Sequence, residues 1–292
     1  MSEISKDYTI DELMVVLMAR EVRNNDVMVI GVSEPMAWAA FTLAKLTHAP
    51  DASFHFIMGT IYTHEPRQLS LLYHEMNCAR AYKFQNTCEN VLELLPSDKL
   101  TTIEFFRPAQ IDQYGNTNNI CIGNWKQPRM RLPGAAGIPD FSMLYGRGQF
   151  LYTPRHETRT FVATDKISFI SGAGFTNGNQ NICGGAGPQC VITNLAYLIF
   201  HDISKKMKIG TIHPGVNLED VKRATGFELL ISDDLKITEP PSIKEITLLR
   251  EKVDPLGIRK LEVFSGIERE ALLNDIIEKE LLKTEKLPKL IT

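Results

Sequence analysis

The stretch Ala109-Gln110-Ile111-Asp112-Gln113-Tyr114-Gly115-Asn116-Thr117-Asn118 constrains this chain more than any other. Residues 103–111 are rich in β-branched and aromatic side chains, and Asp112 to Asn116 supplies the residue types that reverse a chain. The pattern predicts a strand that ends in a tight turn. Gly115 is placed to take a positive φ, while Asp112, Asn116 and Asn118 carry short polar side chains that hydrogen-bond a freed backbone. A second run, Leu132-Pro133-Gly134-Ala135-Ala136-Gly137, strips bulk from the chain, so that backbone N–H groups can approach a ligand carbonyl or phosphate.

Composition removes several function classes. With 292 residues and 43% hydrophobic content the chain can bury a substantial core. Its 32 basic and 35 acidic residues leave a net charge of −3, too little field to gather nucleic acid or an anionic membrane. No apolar run reaches the roughly 18 residues that span a bilayer, and Met1 to Tyr8 has no basic-then-apolar leader. A cytoplasmic protein is expected. Five cysteines at irregular spacing, with no CxxC pair, imply free thiols and no metal centre. Cys121, flanked by Ile120 and Ile122, is expected to be buried and inert.

Along the chain, Thr9 caps an amphipathic helix over 10–23, followed by a buried strand at 27–30. Ser33 and Pro35 then start an apolar helix over 36–47, and 54–57 reads as the next strand. Strand, glycine-containing turn and helix form the βα unit of open parallel sheets, whose ligands lie at strand ends. A helix is expected over 66–83, with His74 on its surface. Arg155, His156, Glu157 and Arg159 form a polar cluster, a rim or a subunit contact, before a strand at 166–170, and the glycine- and asparagine-rich loop 171–189 has the character of a lid. Strands at 190–193, 197–200 and 208–212 are spaced for hairpins. Asn217 and the Ser242/Glu245 box cap helices over 218–225 and 243–253, and 265–284 is an amphipathic helix that packs on this chain or on a partner.

In this order, Ala109 to Asn118, Gly134-Ala135-Ala136-Gly137, Phe161 to Phe169 running into Ser171-Gly172, Gly187-Pro188 before Cys190 to Thr193, and His213-Pro214-Gly215-Val216 resemble the β subunit of class I coenzyme A transferases, in the glutaconate-CoA-transferase-like branch. The resemblance runs from about residue 8 to Pro255. It implies an α/β fold: an open, mostly parallel sheet flanked by helices, with additional antiparallel hairpins. Residues 1–256 would form this domain, and 257–292 a C-terminal helical extension. It also implies an enzyme acting on an acyl-CoA thioester in a site shared with an α subunit. Gly134, Ala135, Ala136 and Gly137 would then be an oxyanion loop. Gln110, Asp112, Asn116, Asn118, Arg129 and Arg131 would bind coenzyme A, with Lys126, Arg129 and Arg131 near its phosphates.

One departure stands out. Such transferases carry a glutamate beside the glycine that ends the second strand, where it attacks the acyl-CoA carbonyl to form a reactive anhydride. Here Ile57 and Met58 precede Gly59, and neither is a nucleophile. Tyr62, His64 and Glu65 follow, of which Glu65 is the carboxylate able to lean back. The departure sets CoA transfer beside hydrolysis of a carbon–carbon bond in a ring-bearing acyl-CoA and beside decarboxylation. One branch of the family lacks this glutamate and uses an acidic residue of the α subunit. A reading from another class is a non-catalytic ligand-binding or assembly subunit.

Overall fold

The computed structural model describes residues 3–31, 34–56, 61–63, 65, 68–74, 84–85, 101–144, 147–175 and 186–284. The chain forms two compact units, residues 1–91 with 241–292, and residues 92–240.

In the first unit, α1 (Ile10–Arg20) begins where its acidic first turn predicts, with the Glu12 carboxylate accepting the Thr9 N–H at 2.8 Å. It is not the amphipathic helix the sequence suggests, because every residue from Asp11 to Ala19 is buried. The reason is Arg259, whose guanidinium lies 2.8 Å from Asp11, 3.0 Å from Glu12 and 2.9 Å from Asp254. Carboxylates enter a core when a partner of this kind neutralises them. β1 (Asp26–Ile30) is the expected fully buried strand. α2 (Pro35–Thr47) has Glu34 at its cap position, with the Glu34 carboxylate accepting the Gly31 N–H at 3.2 Å, while Ser33 lies outside the described residues.

β2 (Ser53–Phe56) runs parallel to β1 and antiparallel to β3 (Ile61–Thr63), which pairs antiparallel with β4 (Phe84–Gln85). Trp38 of α2 stacks on Phe54 of β2 at 5.2 Å. His74 is not the surface residue expected: its ring meets Trp38 edge-on at 4.1 Å, and burial lowers its pKa to about 4. Most of the helix expected over 66–83 falls outside the described residues, as do Ile57 to Thr60.

The second unit breaks the strand predicted over 103–111 into β5 (Thr101–Ile103), β6 (Phe105–Phe106) and β7 (Gln110–Ile111). Pro108, with no N–H to give a ladder, falls in the last interruption. β7 and β8 (Thr117–Asn118) form one hairpin, and β9 (Cys121–Asn124) and β10 (Gln127–Arg131) another. α3 (Ile138–Leu144) and β11 (Gln149–Thr153) come next, neither of them predicted.

β12 (Pro188–Thr193), β13 (Ala196–Phe200) and β14 (Met207–Ile212) are the antiparallel run expected from their spacing. α4 (Leu218–Arg223) is capped by Asn217, whose side chain accepts the Glu219 N–H at 3.1 Å. β15 (Leu230–Ile237) closes a six-stranded sheet in the order β15-β14-β13-β12-β11-β6, in which β6–β11, β11–β12 and β14–β15 are parallel. At its β11–β6 end Phe105, Phe150 and Tyr152 are buried, the Phe105 ring edge to face with the other two.

The strand expected at 166–170 does not form. Thr164–Lys166 is a 3-10 turn, and Ser168 finds side-chain and loop partners instead of a ladder: its N–H donates to Gln110 Oε1 at 3.1 Å and its hydroxyl accepts the Gly123 N–H at 3.0 Å.

Back in the first unit, α5 (Ile243–Leu248) carries the predicted Ser242/Glu245 capping box, and Ile258–Glu262 is a 3-10 turn. In α6 (Gly266–Thr284), Ile276 is fully buried and Glu280 accepts the N–H groups of Leu71 and Leu72 at 2.8 to 3.1 Å, so the helix packs on its own unit. Ile267, Leu281 and Leu282 stay exposed. No described helix is long and apolar enough to cross a membrane.

Candidate functional site

The turn after β7 is built as its residue types require. Gly115 has φ +76°, and its N–H donates to the Asp112 carbonyl at 3.0 Å while the Asp112 N–H donates to the Asn116 carbonyl at 3.1 Å. Asp112 Oδ1 accepts the N–H groups of Tyr114 and Asn116 at 2.9 and 3.0 Å, and Oδ2 accepts from Asn116 Nδ2 at 2.8 Å. Asn118 Nδ2 donates to Gln110 Oε1 and to the Cys121 carbonyl, both at 2.7 Å, and its Oδ1 accepts the Ile120 N–H at 2.9 Å.

Gln110, Asp112, Asn116 and Asn118, of which coenzyme A contacts are expected, are all buried. The Asp112 carboxylate, the amides of Asn116 and Asn118 and Gln110 Oε1 are all hydrogen-bonded to the turn or to segments packed on it.

Residues 171–175 lie across the same turn. The Thr117 and Ser171 N–H groups donate to the Gly172 and Thr117 carbonyls at 2.9 and 2.8 Å, Gly174 donates to Asn116 Oδ1 at 2.9 Å, and Phe175 donates to the Tyr114 carbonyl at 2.9 Å. The start of the expected lid is therefore part of the scaffold, and residues 176–185 lie outside the described residues.

The small-residue loop is pinned to this assembly. Gly134 has φ +116° and donates its N–H to the Asn119 carbonyl at 2.9 Å, and Leu132 donates to the Ile120 carbonyl at 3.0 Å. Ala136 takes φ +43°, a conformation that strains any residue with a Cβ. The N–H groups of Ala135, Ala136 and Gly137 donate to no backbone carbonyl among the described residues. Donors held in a strained, small-residue turn form a cradle for a carbonyl oxygen or an anion. The chain leaves the loop directly into α3, with the Ile138 N–H on the Ala135 carbonyl at 2.8 Å.

Arg129 and Arg131 stand exposed on the β9–β10 hairpin that feeds this loop. Arg131 covers the ring of Trp125 at 4.7 Å, and that ring meets Phe169 at 5.1 Å. Cys121 is fully buried, as expected.

Glu65 is elsewhere. β3 returns antiparallel along β2 with Phe54 opposite Thr63 and Phe56 opposite Ile61. Glu65 follows two residues after Thr63, the β3 residue paired farthest from the Phe56 end. It is exposed.

The polar cluster expected at 155–159 needs correction. Arg155 and Arg159 are exposed, but His156 is buried, stacked on Phe161 at 4.0 Å and hydrogen-bonded to the hydroxyls of Thr193 and Thr225 at 3.0 and 2.9 Å. His213 of the His-Pro-Gly-Val motif is its neighbour in charge: it donates from Nε2 to the Thr193 carbonyl at 2.8 Å and meets the Thr238 hydroxyl at 2.9 Å. Burial lowers His213 to about 4, and burial together with His213 lowers His156 to about 3. Both are neutral structural imidazoles near neutral pH.

Among known proteins, the chain is similar to the B-type subunit of 3-oxoadipate CoA-transferase from Pseudomonas knackmussii, 29% identical over 83% of this chain and 92% of that one. It is 28% identical to the B-type subunit of glutaconate CoA-transferase from Acidaminococcus fermentans, over 85% of this chain and 94% of the relative. It is also 28% identical to the IpdB subunit of the cholesterol ring-cleaving hydrolase of Rhodococcus jostii, over 53% of this chain and 60% of that subunit. In fold it matches the crystal structure of glutaconate coenzyme A-transferase from Acidaminococcus fermentans, with TM-score 0.76 at 24% identity over 89% of this chain and 99% of that one. The decarboxylase AibA/AibB matches with TM-score 0.71 at 23% identity, over 89% of this chain and 100% of that one. A family model described as coenzyme A transferase matches residues 12–224, most of the length, and the chain belongs to the coenzyme A transferase family.

Proposed function

We propose that this chain is the B-type subunit of a two-subunit enzyme that acts on an acyl-CoA thioester in a site shared with an α subunit. The observation that carries the reading is the loop Gly134 to Gly137, whose strained backbone leaves the N–H groups of Ala135, Ala136 and Gly137 without a backbone carbonyl among the described residues. A thioester carbonyl gains negative charge on attack, and fixed N–H donors aimed at that oxygen lower the barrier because they need no reorganisation. Arg129 and Arg131, exposed on the hairpin leading into the loop, are the groups to meet the phosphates of coenzyme A. Gln110, Asp112, Asn116 and Asn118 act behind them by fixing the turn to which the loop is pinned.

The chemistry follows from what the second strand lacks. Ile57 and Met58 carry no carboxylate, and the chain enters the segment carrying Glu65 heading away from the Phe56 end of β2. No acyl anhydride forms on this chain, so the attacking carboxylate or activated water belongs to the α subunit. A relative named as a ring-cleaving hydrolase subunit fits this reading alongside the transferases, and the fold is shared with a decarboxylase.

The test is to co-express the chain with its α subunit and incubate the complex with a panel of acyl-CoAs in ¹⁸O-labelled water, reading products by mass. Label in the product with no adduct on this chain establishes hydrolysis. Label-free exchange of CoA between acids establishes transfer. An acyl adduct on this chain, or full turnover by this chain alone, overturns the reading.

A further inference from the structure

The glycine loop is joined to the turn at one end by Gly134 and runs at the other into α3. At that second end Ala173 bridges α3 and β11. Its N–H donates to Ser142 Oγ of α3 at 3.1 Å, and its carbonyl accepts from Gln149 Nε2 at the start of β11. Ser142 in turn donates to the Pro139 carbonyl at 2.9 Å, closing the first turn of α3. Ser142 is 1% and Gln149 0% exposed, so neither bond competes with water.

Gln149 keeps this contact at a cost. Its Oε1 is buried and has no hydrogen-bond partner among the described residues. A buried acceptor left unpaired destabilises a fold, and an apolar side chain of the same length would avoid the penalty. The same region is tightly closed: a Cβ on Gly172 would lie 2.5 Å from Thr117 Oγ1, 2.9 Å from Ile138 Cγ2 and 3.7 Å from Gln149 Oε1. The first residue after the glycine loop, the turn and Gln149 thus converge on one glycine. β11 also changes register there, between Gln149 and Phe150, the kind of irregularity that aims a side chain.

We propose that Gln149 and Ser142 are positioning residues that hold the glycine loop in its strained form by clamping Ala173 from both sides. The proposal rests on the reading of Gly134 to Gly137 as the oxyanion loop. The clamp fixes α3 against residues 171–175, which are zipped to the turn, so the loop between turn and α3 is held at both ends. Releasing either grip lets the loop relax and moves its N–H groups away from the developing charge.

The experiment uses the complex with the α subunit and the variants Gln149→Met, Ser142→Ala, their double and Ala136→Val, measuring kcat, KM and melting temperature. Gln149→Met and Ser142→Ala should each lower kcat about tenfold with KM within about twofold, a loss typical of misplaced groups. The double variant should lose no more than the worse single one, since both act through one residue. Unchanged kcat in both singles, multiplicative losses in the double, or losses that track melting temperature would overturn the proposal. Ala136→Val separates the two readings. If it lowers kcat while the clamp variants do not, only the clamp fails. If it leaves kcat unchanged, the loop reading fails, and any effect of Gln149→Met arises by another route, which also overturns the clamp.

Discussion

Gly134 donates its N–H to the Asn119 carbonyl at 2.9 Å, and this bond makes the small-residue loop an extension of the turn one residue past Asn118. Two motifs separated by the whole β9–β10 hairpin therefore act as one rigid piece. Ala136, with φ +43°, is where the strain of that connection collects. Ala136→Gly should raise stability by about 1 kcal/mol, the order of the left-handed penalty for a residue with a Cβ, and lower turnover by freeing the loop to leave its strained form. Ala136→Val should cut turnover about 10²-fold, the scale of one lost oxyanion donor. Denaturant titration and steady-state kinetics on the complex measure both.

Gly174 tests the scaffold behind the loop. A Cβ there would lie 2.3 Å from the Tyr114 carbonyl oxygen and 2.4 Å from the Gly115 carbonyl carbon, both backbone atoms of the turn. Backbone cannot swing aside as a side chain can. Gly174→Ala should therefore cost about 3 kcal/mol, the upper range of overpacking, by denaturant titration. A cost under about 1 kcal/mol would mean that residues 171–175 are not locked to the turn.

The turn is legible from sequence because its chemistry is local: Asp112 reaches backbone two and four residues on, and Gly115 needs its positive φ within the same five residues. Where those side chains end is not legible. These polar residues are buried, and most of their polar atoms bond to the turn and to the segments packed on it, which no local pattern announces. The burial of α1 is hidden for a different reason. Its partner Arg259 lies 248 residues from Asp11 in sequence, and no periodicity within the helix announces it. His156 misleads because a run of charged neighbours suggests a rim, while the threonines that satisfy its ring come from β12 and the end of α4.

Arg259 gives the next prediction. Burial opposes the charge of Glu12, but hydrogen bonds from Arg250 and Thr9 and the charge of Arg259 outweigh it and hold its pKa at about 2; for Asp254 burial prevails and its pKa is raised. Removing the guanidinium leaves Asp11 and Asp254 buried without it. Arg259→Met should cost about 3–5 kcal/mol, the range for breaking a buried pair from one side. Denaturation at neutral pH is the measurement, and a loss under about 1 kcal/mol would show that water replaces the arginine.

His156 and His213 set the acid limit of the second unit. Their folded pKa values of about 3 and about 4 lie below the usual 6.5, so the unfolded chain binds more protons. Stability rises with pH in that interval. It is fully present above about pH 6.5 and is lost as the pH falls toward 4, at up to about 1.4 kcal/mol per pH unit for each imidazole. His55 and His74 are likewise lowered to about 4, so His213→Gln should flatten the slope of the whole chain between about pH 6.5 and 4 by about a quarter, whatever it does to stability at neutral pH. An unchanged slope would assign the acid sensitivity to other groups.

Glu65 tests the chemistry. β3 runs antiparallel to β2 with Thr63 opposite Phe54, so the chain enters the segment carrying Glu65 heading away from the Phe56 end of β2. Glu65→Gln in the complex should change turnover by less than about twofold, whereas loss of a true nucleophile costs about 10³-fold or more. Hydroxylamine or borohydride added during turnover should leave residue 65 unmodified. If Glu65 were labelled, a transferase with its nucleophile on this chain would replace the shared-site assignment. If the label falls on the α subunit, or if solvent oxygen enters the product without any label, the carboxylate missing at Ile57 and Met58 has been supplied in trans.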